Sequence, residues 1–170
     1  MGVILSQKKG ELVSYQGRKK AKTTNFIQIT DKNGYIVGIL PLTTGRHHDS
    51  FELIERFKIF VKSIKKTFSL PAEQIYLNAD SAFDNKALRK VCFNHNIIPN
   101  IKYNPRNRKK VKRGRKRLFN QEVYNRRFSI ERTFAWLDNF RTLIIRYERK
   151  SLFWFSFHLL AFSLFNIKLT

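Results

Sequence analysis

Two β-rich runs flank DKNG in the stretch NFIQITDKNGYIVGILPL, residues 25–42. They predict a β-hairpin in which Asn33 and Gly34 supply the positive φ angles of a tight turn. After TTGRHHD, the residues Phe51, Ile54, Phe57, Phe60, Val61 and Ile64 recur at helical spacing. A helix over 50–67 follows from that spacing, with Asp49 placed as its N-cap. QIYLNA, 74–79, is a short apolar run after Pro71 and suits a buried strand. Residues 84–95 read as a helix with Asp84 as its cap. IIPNIKY, 97–103, reads as a strand that Pro99 confines to a sheet edge. Residues 120–142 and 151–167 read as two further helices, and residues 8–22, basic and polar, as a loop. No internal repeat is visible. The order predicts a mixed α/β domain with helices against a sheet.

Composition adds a partner to that picture. The 170 residues suffice for one domain with a core, and 42% hydrophobic content with 16 Phe argues for a folded chain. Against 12 Asp and Glu stand 34 Lys and Arg, a net charge of +22. So large a surplus repels itself unless a polyanion neutralises it, which points to nucleic acid first and an anionic membrane surface second. A single cysteine, Cys92, excludes an intrachain disulfide and a multi-cysteine zinc site. It falls in an apparent helix and reads as an inert core thiol, which fits a reducing, cytoplasmic setting. The first ten residues carry no signal-peptide pattern. Residues 152–167 are strongly apolar but short for a span of about 20 residues. They also contain Ser156, His158, Ser163 and Asn166, so they read as a helix buried against a sheet, with a membrane or interfacial helix as the alternative.

Candidate chemistry rests on carboxylates. Asp80 falls where the 74–79 strand should end, the place where ligand sites gather in α/β folds. A turn or cap aspartate is the plainer reading. Along the 120–142 helix, Val123, Ile130, Phe134 and Leu137 form an apolar stripe, and Tyr124, Arg127, Glu131 and Asp138 form a second stripe beside it. A solvated face with Arg127 paired to Glu131 is the alternative there. Between them lies a basic loop, 104–119. Its core, RNRKKVKRGRKR, holds nine cations in twelve positions: Arg106, Arg108, Lys109, Lys110, Lys112, Arg113, Arg115, Lys116 and Arg117. That density favours contact with phosphates, which positions DNA without reading its bases. Carboxylates beside such a patch suggest Mg²⁺ or Mn²⁺ chemistry on phosphodiesters, which usually takes a third carboxylate. His47 and His48, adjacent in an extended segment, point opposite ways and would not bind one ion together. Trp136 reads as packing.

NADSAFDNKALR followed by YNRRFSIERTFAWLDNFRTLIIRYER resembles the transposases of bacterial insertion sequences, of the DDE class with an RNase H-like fold. The family signature runs Tyr, two residues, Arg, three residues, Glu, six residues, Lys. Tyr124, Arg127 and Glu131 fit it; Asp138 stands at the Lys position, and Arg141, one turn on, is the candidate substitute. RHHDS at 46–50 also looks like the segment before the family's first long helix, so the likeness covers essentially the whole chain. It implies that Asp80 is the second aspartate of the triad and Glu131 its glutamate, both metal ligands, with Tyr124, Arg127 and Arg141 in support.

The resemblance also implies a departure. Aligned on GVILSQKKGE, the family's first aspartate falls at Met1, and no helix-turn-helix precedes it. The expectation is one RNase H-like catalytic domain over 1–170, a mixed sheet flanked by helices with its first central strand truncated. Such a chain is either a truncated transposase or the downstream frame of an element that uses frameshifting. It is expected to bind DNA at transposon ends and not to catalyse transposition alone. Partners implied are a second copy and an upstream-frame polypeptide, with no membrane. The competing class is a non-enzymatic basic nucleic-acid-binding protein whose carboxylates are structural.

Overall fold

A computed structural model describes residues 9–67, 74–104 and 118–170. The chain divides into two compact units, Met1–Phe51 with Phe128–Thr170, and Glu52–Arg127. Each is of mixed α/β character.

The first unit opens with β1 (Ser14–Gln16) and β2 (Ala21–Asn25), where the sequence suggested a loop. They pair antiparallel, Ser14 opposite Thr23 and Gln16 opposite Ala21, around a short 3₁₀ turn. These strands escaped notice because their signal is polar. Thr23, Thr24 and Asn25 are buried, so the β-branched residues fit the pleat while offering no apolar alternation. On its other edge β2 meets β5 (Thr43–Thr44).

The hairpin over 25–42 is present as β3 (Gln28–Thr30) and β4 (Ile36–Ile39), antiparallel with a bulge at Ile29/Thr30. Its connection is wider than the tight turn expected. The Asp31 carboxylate accepts from the amides of Asn33 (2.9 Å) and Tyr35 (2.8 Å), and of the Asn33–Gly34 pair only Gly34 takes a positive φ, +98°. An aspartate that satisfies two loop amides makes the wider loop self-sufficient.

Three helices complete this unit: α4 (Ser129–Leu137), α5 (Arg141–Ile144) and α6 (Ser151–Leu169). Phe26, Ile36, Ile39, Leu137, Leu143, Trp154, Ala161, Phe162 and Phe165 form its core. Asn166 on α6 bonds both the amide (2.8 Å) and the carbonyl (3.0 Å) of Ile36, and Tyr35 donates to the Leu169 carbonyl. Arg146, buried, donates to the Thr24 hydroxyl and to the carbonyls of Glu148 and Arg149. The α6 helix is therefore packed on one side only, less buried than expected, and it is long and apolar enough to cross a membrane by length and composition.

In the second unit α1 (Leu53–Thr67) begins three residues later than expected, so Asp49 lies too far upstream to cap it. Next, β6 (Ile75–Ala79) runs parallel to β7 (Ile97–Ile101), with α2 (Lys86–Asn94) between them in sequence. Among the described residues β6 has one neighbour and is only half buried, whereas β7 is largely buried. Pro99 stands on an edge strand, as its missing N–H requires. Asn85, not Asp84, caps α2 by accepting from Ala87 N at 2.8 Å. Leu53, Phe57, Val61, Leu88, Val91, Cys92, Ile97 and Ile101 are the unit's buried apolar residues. Burial pushes the Cys92 thiol up to about 12, which makes it the inert thiol expected.

Candidate active site

Asp80 follows β6 directly, at the strand's carboxyl end. Its side chain is exposed and caps the 3₁₀ turn Ser81–Phe83, Oδ1 accepting from Ser81 N at 2.6 Å. Among the described residues no group donates to Oδ2. The turn reading and the ligand reading are thus compatible: one oxygen fixes the carboxylate, and the residue is exposed.

Two buried polar assemblies hold that strand end. Asp84, where a helix cap was expected, pairs with Arg89 (Nε to Oδ1, 2.9 Å) and accepts from Asn104 N. The same guanidinium donates to the carbonyls of Pro99 (3.1 Å) and Ile101 (2.8 Å). One arginine therefore ties the segment after Asp80 to the end of β7. The second assembly is made of asparagines. Asn78 and Asn100 are register partners in the parallel pair, and Asn100 donates to the Asn78 side chain at 2.8 Å and to the Asn120 carbonyl at 2.9 Å. Asn120 N returns a bond to Asn100, and Asn78 donates to the Val123 carbonyl at 2.7 Å. This anchors α3 (Gln121–Asn125), capped by Asn120, to the strand that carries Asp80. Neither asparagine was singled out from sequence. The available signal was an amide inside an otherwise apolar strand, one residue before the end of both β6 and β7.

Tyr124 on α3 is buried, with the Phe119 ring centroid 5.1 Å away, and the Arg127 guanidinium lies 5.2 Å from its ring centre. The structure thus brings Tyr124 and Arg127 together. It does not keep the continuous helix expected over 120–142. A 3₁₀ turn at Arg126–Phe128 separates α3 from α4, and α4 ends at Leu137. The stripe drawn through Tyr124, Arg127, Glu131 and Asp138 therefore does not run along one continuous helix. The helix stops where Asn139 turns its amide back onto the carbonyls of Ala135 and Trp136.

Glu131 lies in the first turn of α4, exposed, in the other unit. Its neighbours pin that turn. Arg132 donates to the Asn33 carbonyl at 2.8 Å, and the buried Thr133 hydroxyl accepts from Gln28 while donating to Ile130. Arg141, exposed, opens α5, and Asp138 stands at the C-cap of α4. Among the described residues no group of three or more His, Cys, Asp or Glu is placed to hold a metal. His47 stacks on Phe51 and His48 contacts Ser50. Arg106, Arg108, Lys109, Lys110, Lys112, Arg113, Arg115, Lys116 and Arg117 lie outside the described residues.

No match to the chain was found among curated proteins or among solved structures. The family model of the transposase DDE domain matches residues 6–166, which spans most of the first unit, all of the second and every candidate residue named above. Domains of this family act in DNA transposition, bind DNA at transposon ends and generally work with divalent metal ions. A match over nearly the whole length places this chain in the transposase DDE domain family, with the mixed α/β, RNase H-like fold that the family implies.

Proposed function

We propose that the chain serves metal-dependent DNA strand cleavage and transfer, with Asp80 and Glu131 as its two metal-ligating carboxylates. What carries this reading is the position of Asp80: exposed at the carboxyl end of β6, braced by Arg89 and by the asparagine assembly, with one oxygen committed to Ser81. Carboxylate oxygens suit hard Mg²⁺ or Mn²⁺. When bound, such ions activate an attacking oxygen and stabilise the leaving one at a phosphodiester.

The chain's own residues supply placement. The nine cations between Arg106 and Arg117 hold the sugar–phosphate backbone without reading bases. Arg127, stacked beside Tyr124, and Arg141 are further candidates for phosphate contact or for bracing Glu131. Three of the other aspartates have different tasks. Asp31 closes the hairpin loop, Asp84 is paired with Arg89, and Asp138 ends α4. Such chemistry usually takes a third carboxylate, and we assign it to an upstream-frame polypeptide. By this reading the chain binds DNA in the cytoplasm but does not catalyse transposition alone. Domain 1–170 is then one catalytic domain, with 104–119 as its DNA-binding insertion.

Coexpression with the upstream-frame polypeptide tests this, using DNA of the element's own ends and Mg²⁺. Asp80→Ala and Glu131→Ala should each abolish cleavage and leave DNA binding intact. Retained cleavage in either variant overturns the assignment. The non-enzymatic reading differs in expecting binding alone, with no response to divalent metal in any combination.

A further inference from the structure

The α6 helix turns two different faces in two directions. Trp154, His158, Ala161, Phe162 and Phe165 are buried in the core of their unit. On the outer side, Phe153, Phe157, Leu160, Leu164 and Ile167 follow one another at steps of four, three, four and three. That is the seam spacing of paired helices. Leu152 and Leu159 repeat the seven-residue step on one flank, and the seven side chains are between 43% and 72% exposed. Ser156 and Ser163, also seven apart, lie beside the seam, and each hydroxyl donates to its own helix at Leu152 O (3.0 Å) and Leu159 O (3.1 Å). Their polar groups are already satisfied, so covering them leaves no orphan donor. No Lys, Arg, Asp or Glu occurs between Ser151 and Ile167. Lys150, just before the helix, lies 5.9 Å from the Phe153 ring.

We propose that this outer face of α6 is a self-association surface on which two copies of the chain pair through the Phe153–Phe157–Leu160–Leu164–Ile167 seam. The area fits. At side-chain areas of about 150–250 Å² for aromatics and somewhat less for Leu and Ile, the seven exposed side chains offer on the order of 600–700 Å² per copy. Two copies together exceed the roughly 1,000 Å² that a specific interface should clear. Charge points the same way. Two chains of +22 repel, and this face is where they can meet without opposing like charges in the contact. A lipid surface is the lesser fit. The opposite face of α6 is fastened to the core through Asn166 and Tyr35, so the helix cannot leave to span a bilayer. A membrane-facing side also has no need of a four–three repeat. The proposal goes beyond the catalytic reading and stands without it.

Sedimentation velocity of the full chain over a concentration series tests the surface. Dimers are expected, and they should strengthen with added salt, because screening weakens the long-range repulsion while leaving the apolar seam untouched. Leu160→Glu with Leu164→Glu, at two exposed positions, should give monomers with unchanged circular dichroism. The single variant Leu160→Gln should weaken dimerisation at least tenfold. A wild-type chain that stays monomeric at all salt concentrations overturns the proposal, as do dimers that survive the double substitution. A monomeric chain that floats with phosphatidylethanolamine–phosphatidylglycerol vesicles, and loses that binding in the double variant, overturns it in favour of a lipid surface.

Discussion

Asn100 donates to the side chain of Asn78 at 2.8 Å across the parallel β6–β7 pair, inside a layer that is otherwise apolar. Both amides also reach α3, through the Val123 and Asn120 carbonyls. The pair therefore fixes three elements at once, two residues before Asp80. Replacing Asn100 with Leu leaves Asn120 N without its acceptor and removes both donors. An orphaned buried polar group costs about 1–3 kcal/mol, so urea unfolding should show a loss of that order. A double-mutant cycle with Asn78→Ala should show strong coupling between the two positions. Additivity within about 0.3–0.5 kcal/mol would mean that they act independently.

Asp84 and Arg89 form a buried ion pair, and the guanidinium also holds the Pro99 and Ile101 carbonyls. Arg89→Met removes the charged partner while Asp84 stays buried. Breaking such a pair typically costs about 3–5 kcal/mol. Chemical denaturation should register a loss near that size, and Asp84→Asn should lose less, since the amide oxygen can still accept from Arg89. Equal and small losses in both variants would show that the pair does not hold the strand end.

His158 sits among Phe26, Trp154 and Phe162, and burial pulls its pKa down to about 4 from an ordinary value of 6.5. The folded state holds it neutral while the unfolded chain protonates more readily. Stability is therefore fully present above pH 6.5 and falls as pH drops towards 4, by about 3 kcal/mol at pH 4. Melting temperatures from pH 7 to 4 for wild type and His158→Phe isolate this contribution from the carboxylates. The wild type should lose more on acidification than the variant; parallel curves would contradict the burial account.

Cys92 is buried and its thiol is pushed up to about 12. A maleimide reagent at pH 8 should label it slowly in the native chain and rapidly in urea. Fast native labelling would mean that the α2 face opens readily.

Elements marked by apolar spacing were legible in the sequence: the hairpin, α1, α2, β6, β7 and α6 all lie where the pattern placed them, within a few residues. Elements whose signal is polar were not. β1 and β2 are built on Thr, Asn, Gln and Lys and read as loop. The break at Arg126–Phe128 carries neither Gly nor Pro, so a continuous 3.6-residue period ran straight through it. Caps were misplaced for a related reason. Asp49 and Asp84 are good capping residues by type, but the chain starts α1 at Leu53 and spends Asp84 on Arg89, a partner visible only once α2 is folded. Asp80 was singled out from its place after an apolar run, and Glu131 from its spacing to Tyr124 and Arg127. The asparagines that support Asp80 required the strand register.

The basic segment 106–117 gives a salt dependence that separates DNA placement from chemistry. If its nine cations contact phosphates, log K for duplex binding should fall with log salt at a slope of about −8. Replacing Lys109, Lys110 and Lys112 with Gln should reduce that slope by about 3. A slope unaffected by the triple change would move the DNA contact elsewhere.

The central claim is that Asp80 and Glu131 hold divalent metal. Iron-mediated cleavage tests it most directly: Fe²⁺ replaces Mg²⁺ in the chain bound to duplex DNA, and ascorbate with peroxide generates hydroxyl radicals that cut the backbone beside the ion. The account predicts cuts next to residues 80 and 131, suppressed by excess Mg²⁺ and lost in both Asp80→Ala and Glu131→Ala. Cuts elsewhere, or a pattern unchanged in both variants, would contradict it.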